Sequence, residues 1–427
     1  MKTLNTCKVG MALTAAAFLG LATSQPAAAI TFSLTDLGTL GGSSSDASAI
    51  NDLGQVAGSS QIADGQDRPF LWEKGSGMIN LGTLGGNNVC YGRAINNLGQ
   101  VICQSYRSNA QPSGAFLWEK GSDMINLGSL GGNFVYARAI NNLGQVVGES
   151  TTADGQQRLF LWEKGSGMSD LGSLGGSFGF VQAINDYGQV VGRSDTADGQ
   201  VRGFLWEKSS GMINLGSLGG SFGYARAINN LGQVVGDSTT ADGPSRAFLW
   251  EKGSGMSDLG TLGGNYSYAI AINNLGQVVG SSGTADGKVR AFLWEKSSGM
   301  SDLGTLGGNF SFAHAINNLG QVIGYSTNAN GYDRYFFWDK SSGMSDLNDL
   351  VSPAGWIINT IAGINNAGQI VGNGFYNGQY RAFLLTPNTS KSVPEPSSAL
   401  AFLALGAVGA GSLAKRQRLQ QEASTRN

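Results

Sequence analysis

One phrase, I-N-x-x-G-Q-[VI], returns eight times, beginning at Ile50, Ile95, Ile140, Ile184, Ile228, Ile272, Ile316 and Ile364. Successive copies lie 45, 45, 44, 44, 44, 44 and 48 residues apart. A second phrase, F-[LF]-[WL], keeps the same beat at Phe70, Phe116, Phe160, Phe204, Phe248, Phe292, Phe336 and Phe383. A fixed period in the low forties is the mark of a propeller, solenoid or array, because a unit that short cannot bury its own apolar face and must share its neighbour's. The repeat fills almost everything from Asp36 to Leu385, so residues 30–388 read as one repetitive domain, although 427 residues could hold two or three ordinary ones.

The sixth copy divides into four short extended runs, Tyr268 to Ile272, Gln277 to Ser281, Arg290 to Trp294 and Met300 to Leu306. Asn273 to Gly276, Asp286-Gly287 and Lys296 to Gly299 separate them. Asn-Gly and Asp-Gly chemistry supplies the positive φ that tight reversals need, and Val, Ile, Phe and Trp suit half-buried pleated surfaces. Glycine reaches 67 of 427 residues, but 41% of the chain is hydrophobic, so the glycines punctuate strands and do not signal disorder. The expected fold class is therefore all-β, an eight-bladed β-propeller of four-stranded repeats. The chain opens with a fourth-type run, Leu34 to Leu40, and ends with a third-type run, Arg381 to Leu385. The opening strand is expected to complete the last blade, covering an edge that would otherwise be exposed. A right-handed β-solenoid is the rival, and it gives no reason for the two complementary half-units.

The ends are of another kind. Lys2 and Lys8, an apolar run from Val9 to Ala22, and Gln25-Pro26-Ala27-Ala28-Ala29 compose a secretory signal over residues 1–29, to be removed by signal peptidase. Residues 389–427 carry Pro394-Glu395-Pro396, an apolar stretch from Ala399 to Ala414, and Lys415, Arg416 and Arg418. That stretch is marginal as a transmembrane helix, and its basic flank would stay on the cytoplasmic side. Motif, apolar stretch and basic end, in that order at the terminus, resemble the PEP-CTERM sorting signal of Gram-negative bacteria. The resemblance implies export across the inner membrane, a transient membrane anchor, processing by an exosortase, and a surface or extracellular product associated with exopolysaccharide or matrix. The polar segment Leu419 to Asn427 beyond the basic cluster departs from the pattern.

A second resemblance lies in the repeats. Arg246-Ala247-Phe248-Leu249-Trp250 and Arg290-Ala291-Phe292-Leu293-Trp294, followed by M-x-[DN]-L-G-[ST]-L-G-G, resemble the HAF family of extracellular repeats. The His of that family's name is mostly Arg here.

Without its two ends the formal charge of −2 becomes −7, since they carry seven Lys/Arg and two Asp/Glu. A mildly acidic domain with no basic stripe argues against nucleic acid as a partner. The sole histidine, His314, occupies a position held by Arg93, Arg138, Gln182 and Arg226 in sister repeats, which reads as a rim substitution and not a catalytic base. His and Cys are too few for a metal site, one Asp per Asp-Gly turn falls far short of a calcium shell, and no cofactor is expected. The Arg after each Asp-Gly turn, such as Arg158 or Arg290, is expected to pack over neighbouring rings. Cys90 and Cys103 flank the second I-N-N-L-G turn, so a hairpin would bring their strands together in an oxidising compartment. A disulfide and two buried thiols are both open readings.

Aromatic pairs follow the Gly-Gly step in repeats three to seven, their first members being Phe134, Phe178, Phe222, Tyr266 and Phe310. An arc of rings at a channel mouth could stack on sugar faces; burial between blades is the competing reading, since two-residue spacing keeps each pair on one side of its strand. The expected function is a non-catalytic binding or structural module, with polysaccharide as ligand. The alternative is a secreted propeller enzyme acting on glycans, through carboxylates that no spacing rule identifies.

Overall fold

The repeats fold into antiparallel four-stranded sheets, their strands ordered in space as in sequence, in a computed structural model that describes residues 30–84, 89–106, 112–352 and 355–388. In the sixth repeat the strands are Gly263–Ile272, Val278–Thr284, Val289–Glu295 and Gly299–Asp302. Single parallel bridges, Val201 to Phe222 and Val289 to Phe310, join neighbouring units. The helical turn Leu347–Leu350 interrupts this all-β pattern, capped by Asp346, which accepts from the Asn348 N–H. No helix among the described residues is long and apolar enough to cross a membrane. The signal peptide, the apolar stretch 399–414 and the sorting residues Pro394, Glu395, Pro396, Lys415, Arg416 and Arg418 lie outside the described residues.

Local chemistry explains the repeat. The Asn273 N–H donates to the Gln277 carbonyl and the Gly276 N–H returns to the Asn273 carbonyl, with Gly276 at a φ of 74°. The first strand is bulged between Ala269 and Ala271, which presses the Tyr268 carbonyl toward Gly280 of the second strand. A Cβ at Gly280 would stand 1.9 Å from that oxygen, so only glycine fits. Repeat two departs at both positions. Cys103 takes the glycine's place, and opposite it Gly92 stands where most sister repeats have alanine; a Cβ at Gly92 would meet the Gly58 carbonyl of repeat one at 2.5 Å. The two thiols are therefore small core groups, both buried and both free. Cys90 faces Ser105 and Cys103 faces Gly92, a diagonal relation. Such neighbours stand about 7–8 Å apart, at the limit a disulfide can bridge. The two sulfurs are not bonded in this structure. A hydrogen bond with Cys90, together with burial, holds the Cys103 thiol well above its ordinary value.

The core lies between units and not within them. Ile102, Leu117 and Leu127 of repeat two pack with Val135, Val146, Phe160 and Trp162 of repeat three, and the same pattern recurs along the chain. It also joins the two ends: Val371, Ala382 and Leu384 pack with Leu37, Ala47, Val56, Phe70 and Trp72. The N-terminal strand Phe32–Asp36 pairs antiparallel with Gln379–Pro387, from Phe32 opposite Pro387 to Asp36 opposite Phe383. Because strands alternate in direction, the Asn turns and the Lys-containing turns share one face of the molecule. The Asp-Gly turns and Gly-Gly links share the other.

Candidate functional site

Each first strand brings two sets of residues to the candidate site. At its end, the Ile-Asn-Asn or Ile-Asn-Asp steps of all eight repeats line one cavity of about 360 Å³. The leading asparagines are buried and saturated. Asn273 Oδ1 accepts from the Leu275 and Gln277 N–H groups, while its Nδ2 donates to Gln277 Oε1 and to the Asn317 carbonyl of the next repeat. The inter-repeat bond recurs from Asn51 to the Asn96 carbonyl and onward, and Asn365 donates to the Asn51 carbonyl at 3.0 Å. A second cycle runs through the following residue: Asn97 Oδ1 accepts from the Asp52 N–H, and Asp52 Oδ1 from the Asn366 N–H. These amides hold repeats together and have little left for a ligand.

Four residues before each Ile, the wall changes character. The position holds Asp46, Tyr91, Tyr136, Phe180, Tyr224, Tyr268 and Phe312 in repeats one to seven. Its partners across the sheet are Ser59, Gln104, Glu149, Arg193, Asp237, Ser281 and Tyr325. Arginines interleave with the rings. The Arg138 guanidinium lies 3.5 Å from the Phe180 centroid and 4.7 Å from that of Tyr136; Arg226 lies 4.6 Å from Tyr224, and Arg193 stands 5.3 Å from Tyr224. Arg138 Nε is 2.7 Å from both Glu149 oxygens, and Arg226 pairs with Asp237. Burial raises both carboxyls, with the facing arginines working against it. Glu149 also accepts from the Val181 N–H of the next repeat at 3.0 Å, which gives it a structural duty.

The repeats differ most where eight, one, two and three meet. Ser48, Asp46, Asp67, Tyr91, Arg93 and Tyr380 line a cleft of about 430 Å³. Asn373 Nδ2 donates to Asp46 Oδ2 at 2.9 Å, and the Tyr91 hydroxyl donates to Asp67 Oδ2 at 3.3 Å. The cleft walls withdraw water from Asp46 and raise its carboxyl, against the pull of Arg93 and a hydrogen bond from Tyr380. Arg93 also borders a neighbouring pocket of about 240 Å³ with Tyr136, Arg138 and Gln182. Together they form a groove of paired acids, arginines, hydroxyls and ring faces, a donor and acceptor set suited to a hydroxyl-rich ligand.

Of the sequence-predicted rings, Phe134, Phe222, Tyr266 and Phe310 are half-buried, and Phe178 is 40% exposed. Phe310 stacks on Tyr325 at 5.5 Å, and Tyr266 lies against Tyr268 at 5.6 Å. The cleft itself had one sequence signal, the break in the aromatic pattern at Ser43-Ser44-Ser45-Asp46. The arginines after the Asp-Gly turns differ from expectation. Arg158, Arg290 and Arg334 pair with Asp170, Asp302 and Asp346 at 3.5–3.7 Å, because the fourth strand sets a carboxylate beside each. His314 opens on the wall of repeat seven, where partial desolvation lowers its pKa. Among the described residues no three His, Cys, Asp or Glu are grouped to hold a metal ion.

No curated protein sequence matches the chain. Among solved structures it is similar to a puromycin hydrolase (11% identity, TM-score 0.42, 77% of this chain), and it spans 58% of that protein's length. It is also similar to a lectin from Burkholderia pseudomallei (10% identity, TM-score 0.38, 74% of this chain and 96% of the lectin). An oligogalacturonate lyase solved with manganese is similar at 10% identity and TM-score 0.44, over 79% of this chain and 98% of the lyase. Residues 392–418 match the PEP-CTERM protein-sorting motif, which points to export and sorting to the surface.

Proposed function

We propose that the chain is an exported, surface-sorted eight-bladed β-propeller of the HAF kind that binds polysaccharide at the cell surface or in extracellular matrix without cleaving it. Signal peptidase removes residues 1–29 and an exosortase processes the tail. Support for eight blades closed by the N-terminal strand comes from the hydrogen-bond cycle that runs from Asn51 through every repeat and back from Asn365. The observation that carries the binding reading is the groove over Arg93, where the otherwise similar repeats part company and place acids, arginines and rings side by side. A glycan-array screen of the exported protein tests it. Retention of a polysaccharide that is lost in Arg93→Gln, and weakened in Phe222→Ala and Tyr266→Ala if the ring arc takes part, is the expected result. Absence of binding to any glycan defeats the reading.

One observation favours an enzyme instead. Asp46 has a raised carboxyl and shares its cleft with Asp67, and glycan cleavage uses a pair of carboxyl groups. New reducing or unsaturated ends released from a bound polysaccharide, and abolished by Asp46→Asn, would establish that alternative.

A further inference from the structure

The third residue of the Asn turn is Leu53, Leu98, Leu143, Tyr187, Leu231, Leu275 and Leu319 in the first seven repeats, and Ala367 in the eighth. The seven large side chains are 63–73% exposed. Their backbones are fixed, for the preceding Asn accepts from each N–H, as Asn273 does from Leu275 at 3.0 Å. A large apolar side chain held out in water at the same point of every repeat is a surface feature and not a scattered exception. Outside this ring on the same face stand the lysines of the Lys turns, Lys120, Lys164, Lys208, Lys252, Lys296 and Lys340, with side chains 65–84% exposed and each paired with a glutamate of the preceding repeat.

Both ends of the described chain open on this face. The Asn388 N–H donates to the Thr31 carbonyl at 2.8 Å, and Gln369 of the last Asn turn donates to the Thr386 hydroxyl. The sorting motif begins four residues later, at 392. Ten residues lie between Asn388 and Ala399, where the apolar stretch starts, a reach of at most about 40 Å. With that stretch in a bilayer, the ring is held within this distance of the lipid at a high effective concentration.

We propose that this face rests on the membrane surface while the tail is inserted, its leucines and Tyr187 among the headgroups and upper acyl chains, its lysines at the level of the phosphates. A bilayer is the occupant that suits a ring, because it meets every turn at once. The chain's own apolar stretch, sixteen residues or about 24 Å if helical, would cover one side only. A face-to-face pair of copies would bring two tail exits into the same interface. The inference rests on the sorting tail and not on the glycan reading, so each can fail without the other.

The full chain, reconstituted in phosphatidylethanolamine–phosphatidylglycerol vesicles containing doxyl-labelled phosphatidylcholine, supplies the test. Bimane attached at Leu143→Cys should be quenched at least about threefold more than bimane at Asp198→Cys on the opposite face, since interfacial insertion follows apolar area. Adding Leu98→Ser, Leu231→Ser and Leu275→Ser should remove most of that difference, with the thermal midpoint little changed because these side chains are about two-thirds exposed. Equal quenching at 143 and 198, or quenching indifferent to the serines, overturns the proposal. Cross-linking between copies through position 143 without lipid quenching overturns it in favour of a paired face.

Discussion

Two positions five residues apart, one on the first strand and one just past its end, behave in opposite ways. The Ile that ends each first strand is followed by an Asn in all eight repeats, whereas the residue four before it passes from Asp46 through tyrosines and phenylalanines. The difference lies in what each side chain must satisfy. Asn273 uses its whole amide, two bonds accepted and two donated, one of them to the next repeat. No other side chain has both functions at that length. The wall position only has to fill space beside a neighbouring unit, so Asp46, Tyr136 and Phe180 all serve. Uniformity marks the bonds between repeats here, and variety marks the wall on which the proposed binding reading rests.

The largest expected effect belongs to a position that is glycine in every repeat but the second. Gly280→Ala would set a Cβ 1.9 Å from the Tyr268 carbonyl, and backbone cannot yield as a side chain tip can. We expect a loss of at least about 3 kcal/mol, measured by urea unfolding. A tolerated alanine would mean that the bulge opposite is not rigid. Next comes Asn273→Ala, which strands four hydrogen-bonding groups and breaks the inter-repeat cycle. About 2–4 kcal/mol should be lost. Tyr268→Phe at the wall should cost little by the same assay, and the comparison fails if the two variants are alike.

Much of this contrast was legible in the sequence, and the reasons for the remainder are physical. Periodicity and the Asn-Gly and Asp-Gly turns located four strands per repeat, because those signals are local. Periodicity also exposed the uniform Asn, but not its work, since nothing local says that an amide points along the ring to the next repeat's carbonyl. The cleft was less accessible still. Asp46 and Asn373 meet across 327 residues of chain, and the break in the aromatic pattern at Asp46 identified a difference without its partners. Cys90 and Cys103 were read as a redox question, and nothing local showed that both would be buried in the core, or that Gly92 stands opposite Cys103 with the Gly58 carbonyl of repeat one against it. The arginines of the Asp-Gly turns were assigned to rings; Arg158, Arg246, Arg290 and Arg334 instead have carboxylate partners one strand away, a position that carries Asn80 and Asn214 in repeats one and four.

The wall can be sharpened by pH. Burial raises the Glu149 carboxyl above its ordinary 4.5, although Arg138 and the Val181 N–H oppose the shift. A raised folded value means that the group's contribution is intact below the unfolded value and declines as pH rises through the folded one. Glu149→Gln keeps the acceptor for Val181 and Arg138 but cannot ionise. The stability of the natural protein relative to this variant should therefore fall from acid to neutral pH, by about 1 kcal/mol. The opposite slope would mean that Arg138 outweighs burial.

The smallest effect is expected outside the ring, where repetition is again strict but the bonds are wet. Glu163 accepts from Gln145 and pairs with Lys208 of the next repeat at 2.9 Å, and these contacts, led by Lys208, lower its pKa. The lysine side chain is 76% exposed. Lys208→Gln should cost no more than about 0.5 kcal/mol, less in high salt, and what it costs should disappear as pH falls through the lowered folded value of Glu163. A loss as large as that of Asn273→Ala would mean that the outer Glu–Lys chain shares the closing of the ring, and uniformity alone could then no longer distinguish the bonds that hold the repeats together from those that merely recur.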